Sequence, residues 1–183
     1  MGKIIMITGG ARSGKSTYAE KIARMRPDVA YVATSIAFDE GMTHRIKKHR
    51  EQRPDSWGTI EQWKDFPLIK EAEAYKNSSL LLVDCLTVMI TNLMFYSGLD
   101  FDECQPEDVD DLERQINDHV EDLLALGKEK DLIIVTNELG MGLVPAYKMG
   151  NYFRDIAGRM NQRVAAAADE VYFVVSGIEM KIK

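Results

Sequence analysis

Residues 9–16 read GGARSGKS, which fits G-x-x-x-x-G-K-[ST]. They stand between the apolar run KIIMIT and a stretch with helical periodicity. That arrangement of strand, loop and helix is what a phosphate-binding loop requires. Gly9, Gly10 and Gly14 permit a tight turn. The backbone N–H groups of Ala11, Arg12 and Ser13 can then converge on phosphate oxygens. The helix that follows adds partial positive charge at its N-terminus. Lys15 reaches the β- and γ-phosphates of a nucleotide so held, and Ser16 supplies a hydroxyl for Mg²⁺. The feature implies that the chain binds a nucleoside triphosphate, and it commits residues 3–25 to a strand–loop–helix unit.

The rest of the sequence repeats that alternation. Apolar, β-branched runs at 3–8, 29–34, 79–84, 131–136 and 170–176 predict strands, with a short last strand near 179–183. Most are continuously apolar, as expected of parallel strands covered on both faces. Helical patterns fill 15–25, 40–52, 87–97, 107–126 and 146–168. The expected fold is a doubly wound α/β sheet. At 183 residues the chain suits a single domain over 1–183, in which 36–66 forms a basic segment, and 36–58 is charged enough to move. On the last long helix Phe153, Ile156, Ala157, Met160 and Val164 share one side. Asp155, Arg159, Gln162 and Arg163 form a polar stripe, expected to face solvent.

Charge excludes some functions. With 23 Lys and Arg against 29 Asp and Glu, the net charge is −6. A broad basic surface for nucleic acid is not expected, so any anion site must be local. The two cysteines, Cys85 and Cys104, lie in unlike segments and suggest neither a disulfide framework nor a metal knuckle. A cytoplasmic setting fits. No apolar stretch approaches membrane-spanning length, and the N-terminal apolar run is too short for a signal segment.

In folds with such a loop a carboxylate at a neighbouring strand end organises Mg²⁺. Asp84, closing LLLVD, is the candidate. Glu138, after IIVTN, is a second strand-end acid, and Asp131 is weaker because it begins a strand. The loop by itself is shared by kinases, GTPases and motor ATPases. A guanine-reading N-K-x-D is absent where VTNELG stands, which disfavours a switch GTPase.

The segment HRIKKHREQRP, residues 44–54, holds two of the three histidines. If 40–52 is helical, Arg45, His49 and Arg53 share a face, and Pro54 ends the helix. Neighbouring cations disfavour the imidazolium, and a neutral imidazole is a competent nucleophile toward phosphorus. On the residues alone, a solvated basic face or simple anion binding is the favoured reading. His44 and His119 are expected at the surface.

Taken together, TGGARSGKS, YVATS, RIKKHREQRPDSWGTIE, TNELGMGLVP and RDIAGRMNQRVAAAADEVYFVVSGI give the chain a specific likeness. It resembles the bifunctional adenosylcobinamide kinase/adenosylcobinamide-phosphate guanylyltransferases of cobalamin assembly, from the first strand to the C-terminus. The resemblance implies a P-loop NTPase-type, mostly parallel sheet with helices on both faces and one antiparallel edge strand. It implies two steps. Adenosylcobinamide is phosphorylated by a nucleoside triphosphate, ATP or GTP. A histidine then takes GMP from GTP as a phosphoramidate and passes it to adenosylcobinamide phosphate.

In this sequence the reacting histidine of the resemblance is His49, which that context turns from a surface residue into the expected nucleophile. Thr34, Ser35, Arg50, Glu51, Gln52 and Arg53 would line the GTP site, and Glu61 and Asp84 would contact nucleotide. Asp84 stands where glutamate is also found in the family. Mg²⁺ would sit at Ser16 and Asp84. A homotrimer with its active site near a subunit boundary is implied as well. Two readings from other classes stay open: a P-loop small-molecule kinase without guanylyl transfer, and a non-catalytic GTP-binding regulator.

Overall fold

The computed structural model describes residues 2–36 and 53–183. Among these, seven strands form one sheet: β1 (Ile4–Gly9), β2 (Val29–Ala33), β3 (Gly58–Glu61), β4 (Leu80–Asp84), β5 (Asp131–Asn137), β6 (Glu170–Val175) and β7 (Ile178–Lys181). Their order is β3-β2-β4-β5-β1-β6-β7. All neighbours pair parallel except β7, which returns antiparallel along β6 at the edge. The helices are α1 (Lys15–Ala23), α2 (Glu73–Lys76), α3 (Leu86–Tyr96), α4 (Pro106–Leu126) and α5 (Lys148–Ala167), with a 3₁₀ turn at Phe66–Glu71.

The continuously apolar strands are explained by covering on both faces. Ile4, Met6, Leu81, Val83, Leu132 and Ile134 point to one side, where they pack on α3, α4 and α5 through Met89, Ile116 and Ile156. Ile5, Ile7, Leu80, Leu82, Ile133 and Val135 point to the other, where α1 presents Ala19 and Ala23. The small alanines let α1 approach the sheet closely. Each fully buried Leu or Ile contributes about 1.5–3 kcal/mol. Helix α4 begins where Pro106 takes the first helical position and the Gln105 N–H donates to the Asp108 carboxylate at 3.0 Å.

Four elements differ from the expected pattern. Strand β3 was not foreseen: it has four residues, of which only Ile60 is buried. The 3₁₀ turn and α2 are likewise new. The edge strand covers Ile178–Lys181 rather than 179–183. The helix expected over 40–52 lies outside the described residues.

Candidate functional site

Parallel register places the carboxyl ends of five adjacent strands on one edge of the sheet. Gly9 aligns with Asn137, Ala33 with both Glu61 and Asp84, and Asp84 with Val135. The phosphate loop leaves β1 at this edge. Gly9 is required by close approach, since a Cβ there would meet the Val174 carbonyl oxygen at 2.4 Å. Gly14 is required by conformation: its φ of 96° lies in the left-handed region at the start of α1. Across the loop the β6–β7 turn, Ser176–Gly177, donates its Gly177 N–H to the Ser13 carbonyl at 2.8 Å. The edge hairpin therefore clips the loop in place.

Lys15 is buried, and its Nζ donates to the Gly10 carbonyl at 3.0 Å, folded back across the loop. Burial pulls its pKa below the ordinary lysine value, opposed by the acidic neighbours Cys85 and Asp84. The buried Ser13 hydroxyl has no hydrogen-bond partner. Buried polar groups are normally satisfied, and this one is an exception within the loop.

At the end of β4 the Asp84 carboxylate accepts a hydrogen bond from the Tyr31 hydroxyl at 2.9 Å. Tyr31 lies in the middle of β2, and burial followed by the Asp84 charge raises its phenol pKa far above normal. The Arg53 guanidinium stacks on the Tyr31 ring, 3.2 Å from its centroid. The Arg53 Nε is buried without a partner. One residue beyond the end of β2, Thr34 is fully buried. Its Oγ1 accepts from the Cys85 N–H and donates to the Cys85 carbonyl, both at 2.8 Å. Its own carbonyl accepts from Asn92 at 2.8 Å. The hydroxyl of Thr34 is thus used inside the protein. Burial pushes the Cys85 thiol up to about 11, so it is no ready nucleophile.

The structure therefore brings together Gly9 to Ser16, Tyr31, Thr34, Arg53 and Asp84. Ser35 is half-buried just beyond β2, and Glu61 is exposed at the end of β3. His49, Arg50, Glu51 and Gln52 lie outside the described residues. Glu138 stands at the strand-end edge, but its carboxylate accepts the Gly140 and Met141 N–H groups at 2.6 and 3.2 Å and shapes its own loop. Asp131 begins its strand at the opposite edge and pairs with Arg26 at 2.6 Å. His119, expected at the surface, is half-buried beside the stacked Trp63 and Tyr96, with its Nδ1 unpartnered.

The polar stripe of α5 faces solvent as expected, with Asp155, Arg159, Gln162 and Arg163 all exposed, and two of its residues also form surface ion pairs. Arg159 and Arg163 pair with Glu113 and Glu121 of α4. Asn161 accepts from the Thr136 hydroxyl at 2.7 Å and donates to the Asn137 carbonyl at 3.0 Å. Between α5 and the sheet lies a groove of about 680 Å³, bordered by Thr8, Glu138, Arg154, Asp155, Asn161 and Gln162. It opens beside Gly9, whose carbonyl accepts the Glu138 N–H at 3.0 Å. Tyr31 and this groove were not legible as site features. The apolar run hid the one, and helical periodicity assigned the other to solvent.

Asp84 and Ser16 are hard oxygen donors and fit Mg²⁺, an ion that keeps most of its coordination for water and phosphate. Among the described residues no three His, Cys, Asp or Glu side chains gather into a metal site. An ion with one carboxylate and one hydroxyl needs no such cluster.

The family model for cobinamide kinase / cobinamide phosphate guanyltransferase matches residues 5–182. The bifunctional adenosylcobalamin biosynthesis protein CobU of Salmonella typhimurium is 46% identical over 184 residues, covering 98% of this chain and 99% of its own. The CobU of Escherichia coli is 44% identical over 98% of this chain and 99% of its own. CobP of Pseudomonas aeruginosa, also named as bifunctional, is 36% identical over 97% of this chain and 96% of its own. A solved ATPase of a type III secretion system, at TM-score 0.47 and 12% identity over 94% of this chain and 51% of that one, is too distant to add to this.

Proposed function

The chain belongs to the cobinamide kinase / cobinamide phosphate guanyltransferase family, and we propose that a single phosphate loop serves both of its reactions, with His49 carrying GMP in the second. It is a bifunctional transferase of cobalamin biosynthesis. In the kinase step the aminopropanol hydroxyl of adenosylcobinamide attacks the γ-phosphorus of a nucleoside triphosphate. The nucleoside diphosphate leaves, and the hydroxyl proton passes to solvent. In the second step a ring nitrogen of His49 attacks the α-phosphorus of GTP and pyrophosphate leaves. A phosphate oxygen of adenosylcobinamide phosphate then breaks the P–N bond. The products are adenosylcobinamide-GDP and free His49.

What supports this reading is the geometry at the strand ends. Lys15 and the N–H groups of Gly9 to Ser16 hold the triphosphate against the developing negative charge. Arg53, seated on Tyr31 with an unpartnered Nε, is poised for a phosphate oxygen. Arg50, Glu51, Gln52, Thr34, Ser35 and Glu61 complete the nucleotide surroundings. When bound at Ser16 and Asp84, Mg²⁺ supplies charge neutralisation at the phosphates.

The nucleotide residues lie on β1 to β4, on one side of the loop. The groove under α5 lies on the other, and we assign it to the corrinoid's reactive arm. The exposed apolar side chains Ile178, Met180 and Ile182 of the edge hairpin support a homotrimer contact. No described helix is long and apolar enough to cross a membrane, and we assign the reactions to the cytoplasm.

The test is brief incubation with Mg²⁺ and GTP labelled at the α-phosphate, followed by denaturation. Acid-labile, base-stable label on protein, absent from His49→Ala, is the expected result. Protein that binds GTP and stays unlabelled would leave only the kinase half of the reading.

A further inference from the structure

Tyr31 has no part in the chemistry just described, yet it touches two of its residues. Its hydroxyl donates to Asp84 Oδ2 at 2.9 Å, while its ring face carries the Arg53 guanidinium at 3.2 Å. A tyrosine buried mid-strand needs a partner for its hydroxyl, and many would serve. This one uses the acid at the end of the adjacent strand β4. The residue is 3% exposed, so neither contact can be replaced by solvent without opening the core. Asp84 has two carboxylate oxygens, and the bond occupies one in a fixed orientation. The other is not used by that bond, and the Asp84 charge is felt at Lys15 of the loop.

We propose that Tyr31 is a positioning residue for nucleotide binding, acting with its hydroxyl through Asp84 and with its ring through Arg53. The inference rests on Asp84 as the acid for Mg²⁺ and deepens that reading. The hydroxyl fixes the carboxylate for the ion. The ring independently holds the guanidinium flat, so that its unpartnered Nε can meet an anionic oxygen. The two functions are separable because they use different atoms of the same side chain.

The test is binding of a non-hydrolysable GTP analogue by calorimetry across a Mg²⁺ series, with Mn²⁺ binding read by electron paramagnetic resonance. Tyr31→Phe keeps the ring and is expected to raise the Mg²⁺ concentration needed by about tenfold. It should weaken Mn²⁺ in parallel and leave metal-free affinity unchanged, with excess Mg²⁺ restoring wild-type binding. Tyr31→Leu should also weaken metal-free binding, and excess Mg²⁺ should not rescue it. A Phe variant that follows the wild-type Mg²⁺ curve overturns the hydroxyl's role, whether or not the Leu variant folds. Asp84→Asn separates the premises. If it leaves the Mg²⁺ and Mn²⁺ curves unmoved, Asp84 is not the acid for the ion and the inference falls with that reading. If it shifts them and Tyr31→Phe does not, only the inference falls.

Discussion

Replacing Thr34 by valine keeps the shape of the side chain and removes one oxygen. That oxygen is fully buried and makes two hydrogen bonds of 2.8 Å to the backbone of Cys85, one as acceptor and one as donor. The two losses are unequal. The Cys85 carbonyl keeps a second partner, the Met89 N–H at 3.1 Å, so it forfeits one ordinary bond, about 0.5–1.5 kcal/mol. The Cys85 N–H would face a methyl group and be stranded, at about 1–3 kcal/mol. The expected destabilisation is therefore about 2–4 kcal/mol, or about 5–15 °C in Tm for a domain of this size. Thr34→Ser is the control. It keeps both bonds and loses a buried methyl, about 1 kcal/mol. Urea and thermal unfolding of the three proteins decide the matter. Because Cys85 follows Asp84 directly, the valine variant should also bind GTP more weakly in Mg²⁺. If valine is no more destabilising than serine, Thr34 does not hold the end of β4 and the reasoning is wrong.

Two further outcomes follow from single residues. Gly14→Ala places a Cβ at a φ of 96° and 3.1 Å from the Gly177 Cα, which should cost about 1–3 kcal/mol on unfolding. It should weaken GTP binding at least tenfold in a titration. Glu170 is held down to about 2 by its bond to Lys181 and then Lys3, against an ordinary 4.5. A depressed carboxylate stabilises above its unfolded pKa and loses that contribution as pH falls through the folded one. Unfolding curves should show stability declining from about pH 4.5 toward about 2, and Glu170→Gln should flatten that limb.

Much of the fold could be read in advance because its strands are buried on both faces. Runs such as IIMIT and LLLVD admit little else once a phosphate loop follows the first of them. Strand β3 escaped because four edge residues with one buried side chain carry no period. The α5 stripe faces solvent as its periodicity requires, but the ion pairs it makes could not be read in advance. Arg159 and Arg163 are polar on the wheel, but their partners are acids on α4, forty-odd residues away in sequence. The loop glycines, Lys15 and Asp84 were legible from spacing and strand position. Tyr31 was not, since within VAYVA it reads as one more apolar strand residue. Only register, which sets β2 beside β4, shows what its hydroxyl reaches.

That register also explains how a carboxylate at a strand end can be held rigidly. Strand β2 grips the end of β4 twice. Tyr31 holds the Asp84 side chain from mid-strand, and Thr34 holds the next peptide from the strand's tip. Neither grip depends on nucleotide, so the orientation of Asp84 is established when the sheet folds rather than when substrate arrives. Preorganisation of this kind spares reorganisation at the moment charge develops on phosphate. On the proposed reading, in which one loop presents first a γ- and then an α-phosphorus, it matters doubly. On that reading the attacking group and the reacting phosphorus change between the two steps, whereas β2, β4 and the loop between β1 and α1 would serve both. Such a shared site would need those parts to stay fixed, and the hydrogen bonds from β2 to the end of β4 would supply that constancy.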